Sequence, residues 1–130
     1  MSRSPLRPLI LFALFLSLLA GCTSKQNGPA QAVEGYFKAM VAQDKTQITG
    51  FACASWEAQA QVDADAFAGV TAVLQDLACQ VSGTDGNTTL VTCTGKIVAS
   101  YNGENREFPL DGRTYQAIQE SGEWRMCGYQ

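Results

Sequence analysis

Three regimes of apolar spacing follow one another along this chain. From Leu9 to Leu19 nearly every residue is apolar, in one continuous run. From Ala30 to Gln43 the spacing is helical. Val33, Phe37, Met40 and Val41 fall at i, i+4, i+7 and i+8, one face of a 3.6-residue period, with Tyr36 flanking it. From about Thr71 the period drops to two, and Val73, Leu77, Cys79 and Val81 share one face of a strand.

Capping and turn residues divide these regimes into elements. Pro29 suits the first position of the first helix. Asp44 can cap a second short helix, Lys45 to about Ala52, with Ile48 and Phe51 inward. Ser55 is placed to cap a third, from Trp56 to about Gly69, which Asp63-Ala64-Asp65 breaks or bends. Asp85-Gly86-Asn87 is a turn signal, and Thr88 to Tyr101, rich in Thr and Val, is a second strand. Asn102-Gly103 is the strongest hairpin dipeptide in the chain. Arg106 to Gln119 forms a third strand that Pro109 and Gly112 interrupt, which predicts a bulge or an edge that bends the sheet. Ser121-Gly122 turns the chain into a short last strand, Glu123 to Tyr129. Helices first and an antiparallel meander afterwards make an α+β domain.

The N-terminal run has its own meaning. Arg3 and Arg7 give it a basic start. As a helix, Leu9 to Leu19 spans roughly 17 Å at 1.5 Å per residue, short of the ~30 Å hydrocarbon core. That fits the apolar core of a signal helix better than an uncleaved membrane anchor. The run ends in Leu19-Ala20-Gly21-Cys22, which resembles the lipobox of bacterial lipoproteins. The resemblance implies that residues 1–21 are a cleaved signal peptide and that Cys22 is the lipidation site. One acyl chain holds only marginally, whereas two or three give lasting attachment. Thr23 follows the cysteine; by analogy, the absence of Asp there points to the outer membrane of a two-membrane bacterium. In a single-membrane bacterium the protein would sit on the outer face of the plasma membrane. Residues 22–30 then form a flexible tether, with Gly28 and Pro29 adjacent, and 31–130 the domain. The eight residues from Thr23 to Ala30 reach at most about 28 Å.

Composition narrows the chemistry. The chain has 130 residues, enough for a single domain. Loss of Arg3 and Arg7 takes the formal charge from −3 to −5. An acidic surface repels phosphate backbones, which argues against a nucleic-acid partner, and it is a poor match for anionic lipid heads, which leaves membrane attachment to the anchor. There is no histidine. That removes the usual neutral-pH acid/base, the Ser-His and Cys-His nucleophile pairs and most zinc sites, and no residue pattern calls for a cofactor.

Cys53, Cys79, Cys93 and Cys127 remain once Cys22 is lipidated. An even count in an exported domain favours pairing. Cys79 and Cys93 are each seven residues from Gly86. A three-residue loop centred there would set them opposite one another on neighbouring strands, within disulfide reach. Cys53 is then left to meet Cys127 and tie the helices to the last strand. A redox or metal thiol pair is disfavoured, because no Cys-x-x-Cys is present.

Tyr36-Phe37-Lys38-Ala39-Met40, followed by Gln43-Asp44-Lys45, resembles the opening helix and second-helix cap of the nuclear-transport-factor-2-like superfamily. Gly122-Glu123-Trp124-Arg125-Met126-Cys127 is similar to the last strand of bacterial lipoproteins of that group. The resemblance implies a cone: a strongly curved antiparallel sheet wrapped round the first helix, with a pocket at the wide end. The superfamily holds ketosteroid isomerases, dehydratases, cyclases and proteins with no known activity, so fold alone decides little about function. In the isomerases a tyrosine and carboxylates line the cone. Here Tyr36, Met40, Asp111 and Tyr115 are the candidate pocket residues, with an ordinary core or rim role as the plainer reading. Trp56, Phe67, Phe108 and Trp124 are read as core.

The resulting expectation is a non-catalytic envelope module that binds a small apolar ligand or a partner protein, with a homodimer through the sheet face as one arrangement. An isomerase- or dehydratase-type enzyme is the rival. The enzyme requires a deep pocket on which a carboxylate or tyrosine converges. The module requires a cone filled by side chains, or an apolar patch on the open sheet face.

Overall fold

In the computed structural model, which describes residues 28–130, three helices precede five strands. They are α1 (Pro29–Val41), α2 (Lys45–Phe51), α3 (Glu57–Asp65), β1 (Thr71–Asp85), β2 (Thr88–Tyr101), β3 (Glu104–Pro109), β4 (Thr114–Glu120) and β5 (Glu123–Tyr129). The run read as a signal segment, the lipobox-like stretch with Cys22 and most of the expected tether lie outside the described residues. α1 opens on Pro29, the residue expected at its first position. Among the described residues no helix is long and apolar enough to cross a membrane.

α1 is the axis of the domain. The spacing predicts a one-faced amphipathic helix, but Ala32, Val33, Tyr36, Phe37 and Ala39 are all buried, so the helix is enclosed on several sides. It packs against β1, β2, β4 and β5 on one side and α2 and α3 on the other. Tyr36, expected at the edge of the apolar face, is fully buried. Met40 and Val41 are only half-buried. Close approach of α2 depends on Gly35: any Cβ there would run into the ring of Phe51.

Asp44 caps α2 as expected, its carboxylate accepting from the Gln47 N–H at 2.9 Å, and Ile48 is fully buried. Ser55 does not cap α3. A short 3-10 turn, Ala54–Trp56, leads into that helix, and the Ser55 hydroxyl lies 3.2 Å from Cys53 Sγ and 3.6 Å from Cys127 Sγ instead. α3 stops at Asp65, sooner than expected, and Gln43, just beyond the end of α1, holds the following turn by donating to the Phe67 carbonyl at 2.8 Å.

The sheet is antiparallel, in the order β1-β2-β4-β5, with β3 also on β2. The single third strand expected from Arg106 to Gln119 is two strands. β3 pairs with the Lys96–Tyr101 end of β2 and β4 with the Thr89–Thr92 end. The break falls between Pro109 and Thr114, so the interruption expected at Pro109 and Gly112 separates two strands, with Gly112 at φ +87. On the other side of β2 the ladder with β1 shifts register between Gln75 and Ala78. Asp76 takes φ +54 there, and Gly95 opposite takes φ +93. This bulge explains why Val73 is not on the face of Leu77 and Cys79. Ala72 and Leu74 face inward before the extra residue, Leu77 and Cys79 after it, and Val73 is left 47% exposed. Val81 keeps the parity of Cys79 but is exposed near the tip of the hairpin.

Both disulfides form. Cys79 and Cys93 are directly paired across β1 and β2 with Cα atoms 4.1 Å apart. The register is reached by a different route from the expected three-residue loop: the loop is Gly86-Asn87, and a second irregularity between Val81 and Gly83 restores the alignment. Cys53 joins Cys127 over 74 residues. Beside it the Cys53 N–H donates to the Met126 carbonyl at 2.9 Å, so the start of the 3-10 turn is fixed to β5 by backbone as well as sulfur. Bonds of this kind persist in oxidising compartments.

Candidate functional site

Because the sheet curls and α1 does not fill it, a cavity of about 380 Å³ remains between α1, α3 and the concave face. That volume lies in the range of small-molecule sites. Tyr36, Phe37 and Met40 come from α1, Asp63 from α3, Phe67 from the turn beyond it, and Ile97 from β2. Phe108 and Leu110 close one side, and Tyr115, Met126 and Tyr129 another. The lining is mainly apolar and aromatic. Phe37 meets Tyr115 edge to face with ring centres 5.1 Å apart, and Phe67 meets Phe108 in the same way at 5.8 Å.

One wall carries a hydrogen-bonded chain. The Tyr36 hydroxyl donates to Asp63 Oδ2 at 2.6 Å, and Gln59 Nε2 donates to Asp63 Oδ1 at 2.9 Å. Trp56 Nε1 in turn donates to the Tyr36 oxygen at 3.2 Å. Burial pushes the Tyr36 phenol far above the ordinary tyrosine range, and the hydrogen bond to the Asp63 carboxylate adds to this. Burial also raises the Tyr115 phenol, against the pull of the nearby Arg113 charge. Tyr115 donates to the Leu110 carbonyl at 3.1 Å, which holds the β3–β4 connection over the cavity.

Tyr36, Met40 and Tyr115 therefore share the cavity. Asp111 does not. It is exposed and lines a separate shallow groove with Gly112, Arg113 and the Cys79–Cys93 pair, because Gly112 turns the connection outward before β4 begins. Two carboxylates do reach the cavity: Glu107 on β3, paired with Lys96 at 2.6 Å, and Asp63, which by sequence alone looks like a helix break. Its signal was the stripe Ala60 and Ala64, both fully buried, which places position 63 beside the inward face of α3. Phe67 is buried, but Phe108, expected in the core, is 40% exposed at the rim. Arg113 and Tyr129 were not anticipated. They stack at the mouth, guanidinium over ring at 4.5 Å. Among the described residues no cluster of potential metal ligands is present.

No family model matches the chain, and no curated protein matches it. Solved structures do. Aln2 from a Streptomyces species is similar at 16% identity and a TM-score of 0.55, covering 76% of this chain and 82% of its own. A candidate dehydratase of the NTF2-like family from Streptomyces avermitilis is similar at 13% identity and 0.52, covering 75% and 88%. A candidate ketosteroid isomerase from Shewanella frigidimarina is similar at 11% and 0.50, covering 79% and 94%. At such identities the likeness is one of fold, and the fold is that of the nuclear-transport-factor-2-like cone.

Proposed function

We propose that this protein is a lipid-anchored envelope module whose cone holds a small, largely apolar molecule without transforming it. The observation that carries the reading is the interior of the cone. A domain serving only as a scaffold would fill it with side chains, whereas here about 380 Å³ stays open behind a rim of Phe108 and Tyr129. Export is supported by the two disulfides. Anchoring is supported by Leu19-Ala20-Gly21-Cys22 behind its apolar run.

Tyr36 and Asp63 favour the enzyme as a second reading, since both face the cavity and two of the fold neighbours are candidate dehydratase and isomerase proteins. The pair is nevertheless closed on itself. The Tyr36 proton is committed to Asp63, and each oxygen of that carboxylate already accepts from a protein donor. Each oxygen keeps a second lone pair, so what disfavours the enzyme is orientation: Tyr36 and Gln59, not a substrate, set how the carboxylate lies.

Native mass spectrometry of protein taken from its host membranes is expected to show a bound small molecule. Met40→Trp, which puts an indole into the cavity, is expected to lose it. Retention of the adduct by that variant would remove the cavity as its site. Exchange of a carbon-bound proton of the ligand with deuterated solvent would decide for the enzyme.

A further inference from the structure

We infer that the cavity selects a monoanion, a small carboxylate with an apolar body, and that Arg113 at the mouth receives the carboxylate; this rests on the cavity being a ligand site. Three charged side chains line the cavity: Asp63, Glu107 and Arg113. Two of them are already answered. Asp63 accepts from Tyr36 and Gln59, and Glu107 is ion-paired to Lys96 at 2.6 Å. Arg113 differs, because among the described residues no carboxylate lies within ion-pair distance of it.

Its position is nonetheless set. Thr114 and Gln130 exchange both backbone hydrogen bonds, at 2.9 and 3.0 Å, which aligns the start of β4 with the end of β5. That alignment lays the Arg113 guanidinium on the Tyr129 ring. Stacking occupies a face of the guanidinium and leaves its edge donors for a planar acceptor. A carboxylate matches that fork with two parallel hydrogen bonds. A phosphate monoester, carrying nearly two charges at neutral pH, would find one cation and two acids in the lining. The apolar body then lies against Phe37, Phe67 and Ile97, where burial of apolar surface favours binding.

Isothermal titration of the full chain with hydrocinnamate and with its neutral amide, hydrocinnamamide, tests this. The acid is expected to bind about tenfold more tightly than the amide, the scale of one charge-assisted pair. Arg113→Gln is expected to bring the acid down to the level of the amide, and Arg113→Lys to keep part of the preference. Equal affinity of the unaltered protein for the two probes would overturn the anion inference and leave the cavity standing. A preference that survives Arg113→Gln would also overturn it. Binding of neither probe would overturn the cavity reading together with it.

Discussion

The Tyr36 hydroxyl reaches Asp63 at 2.6 Å across 27 residues of sequence, and this bond joins the central helix to the last helix before the sheet. Tyr36→Phe leaves Asp63 Oδ2 and Trp56 Nε1 without their partner. A hydrogen bond to a charged group contributes about 1.5–3 kcal/mol. A loss in that range is expected in urea denaturation at neutral pH, and a change under about 0.5 kcal/mol would mean that water replaces the hydroxyl without penalty.

The raised phenols give a pH dependence with a definite sign. Both Tyr36 and Tyr115 hold their protons more tightly in the folded chain than a tyrosine does at its ordinary value of 10.0. Above that value the unfolded chain sheds protons that the folded chain keeps, so stability falls as pH rises. Their contribution is complete below pH 10 and lost progressively above it. Ultraviolet titration of the four tyrosines is expected to show Tyr36 and Tyr115 ionising only as the fold opens. Normal titration of all four in the native state would contradict the burial.

The bulge on β1 rests on one glycine. A Cβ at Gly95 would lie 2.5 Å from the carbonyl oxygens of both Gln75 and Asp76, at a φ of +93°. Gly103 has a similar φ of +83° but open space around it. Gly103→Ala is therefore expected to cost about 1 kcal/mol, the conformational part alone. Gly95→Ala is expected to cost at least about 2 kcal/mol more, as strain or displacement of β1. Equal costs in the two variants would show that β1 moves aside freely.

Much of this architecture was legible in the sequence because local signals and burial agree. Asp44 is a capping residue at a cap, Asn102-Gly103 makes a tight turn, and the spacing of Cys79 and Cys93 about Gly86 predicts one disulfide and leaves Cys53 and Cys127 for the other. The failures fall where a neighbour in space overrides the local pattern. Val73 changed face because Gly95, on another strand, admits a bulge at Asp76. Ser55 left its capping role for the sulfurs of Cys53 and Cys127. The site was half visible. Met40 follows from the apolar face of α1, and Tyr36 and Tyr115 enter as candidates through the resemblance to the isomerases, whereas Asp63 and Arg113 depend on how α3 and the β3–β4 connection sit across the mouth.

The disulfides are not equivalent. Cys79–Cys93 spans 14 residues and Cys53–Cys127 spans 74. Loop-closure entropy assigns the short loop about 3 kcal/mol and the long one somewhat over about 4. The long bond also fixes the helical layer to β5, next to the Cys53–Met126 backbone contact. Replacing Cys53 and Cys127 by serine is expected to lower the urea midpoint more than the same change at Cys79 and Cys93. Reduction of both is expected to lower Tm by well over about ten degrees, given the usual shift of about 4–8 °C per kcal/mol for a domain of this size. The reverse order would mean that the β1–β2 hairpin, and not the helix-to-sheet junction, opens first.

Cys22 is expected to decide where the domain resides. Without residues 1–21 the chain would carry a formal charge of −5, since Arg3 and Arg7 lie in that segment, and such a surface would give anionic lipid heads little reason to hold it. Each acyl CH₂ buried contributes about 0.8 kcal/mol, and two or three chains exceed any weak surface attraction. Cys22→Ser should therefore move the protein from the membrane fraction to the soluble one, while thermal melting of the domain stays unchanged. Continued tight membrane attachment of the variant, or residues 1–21 still present on protein isolated from growing cells, would replace the lipid anchor with an uncleaved signal helix.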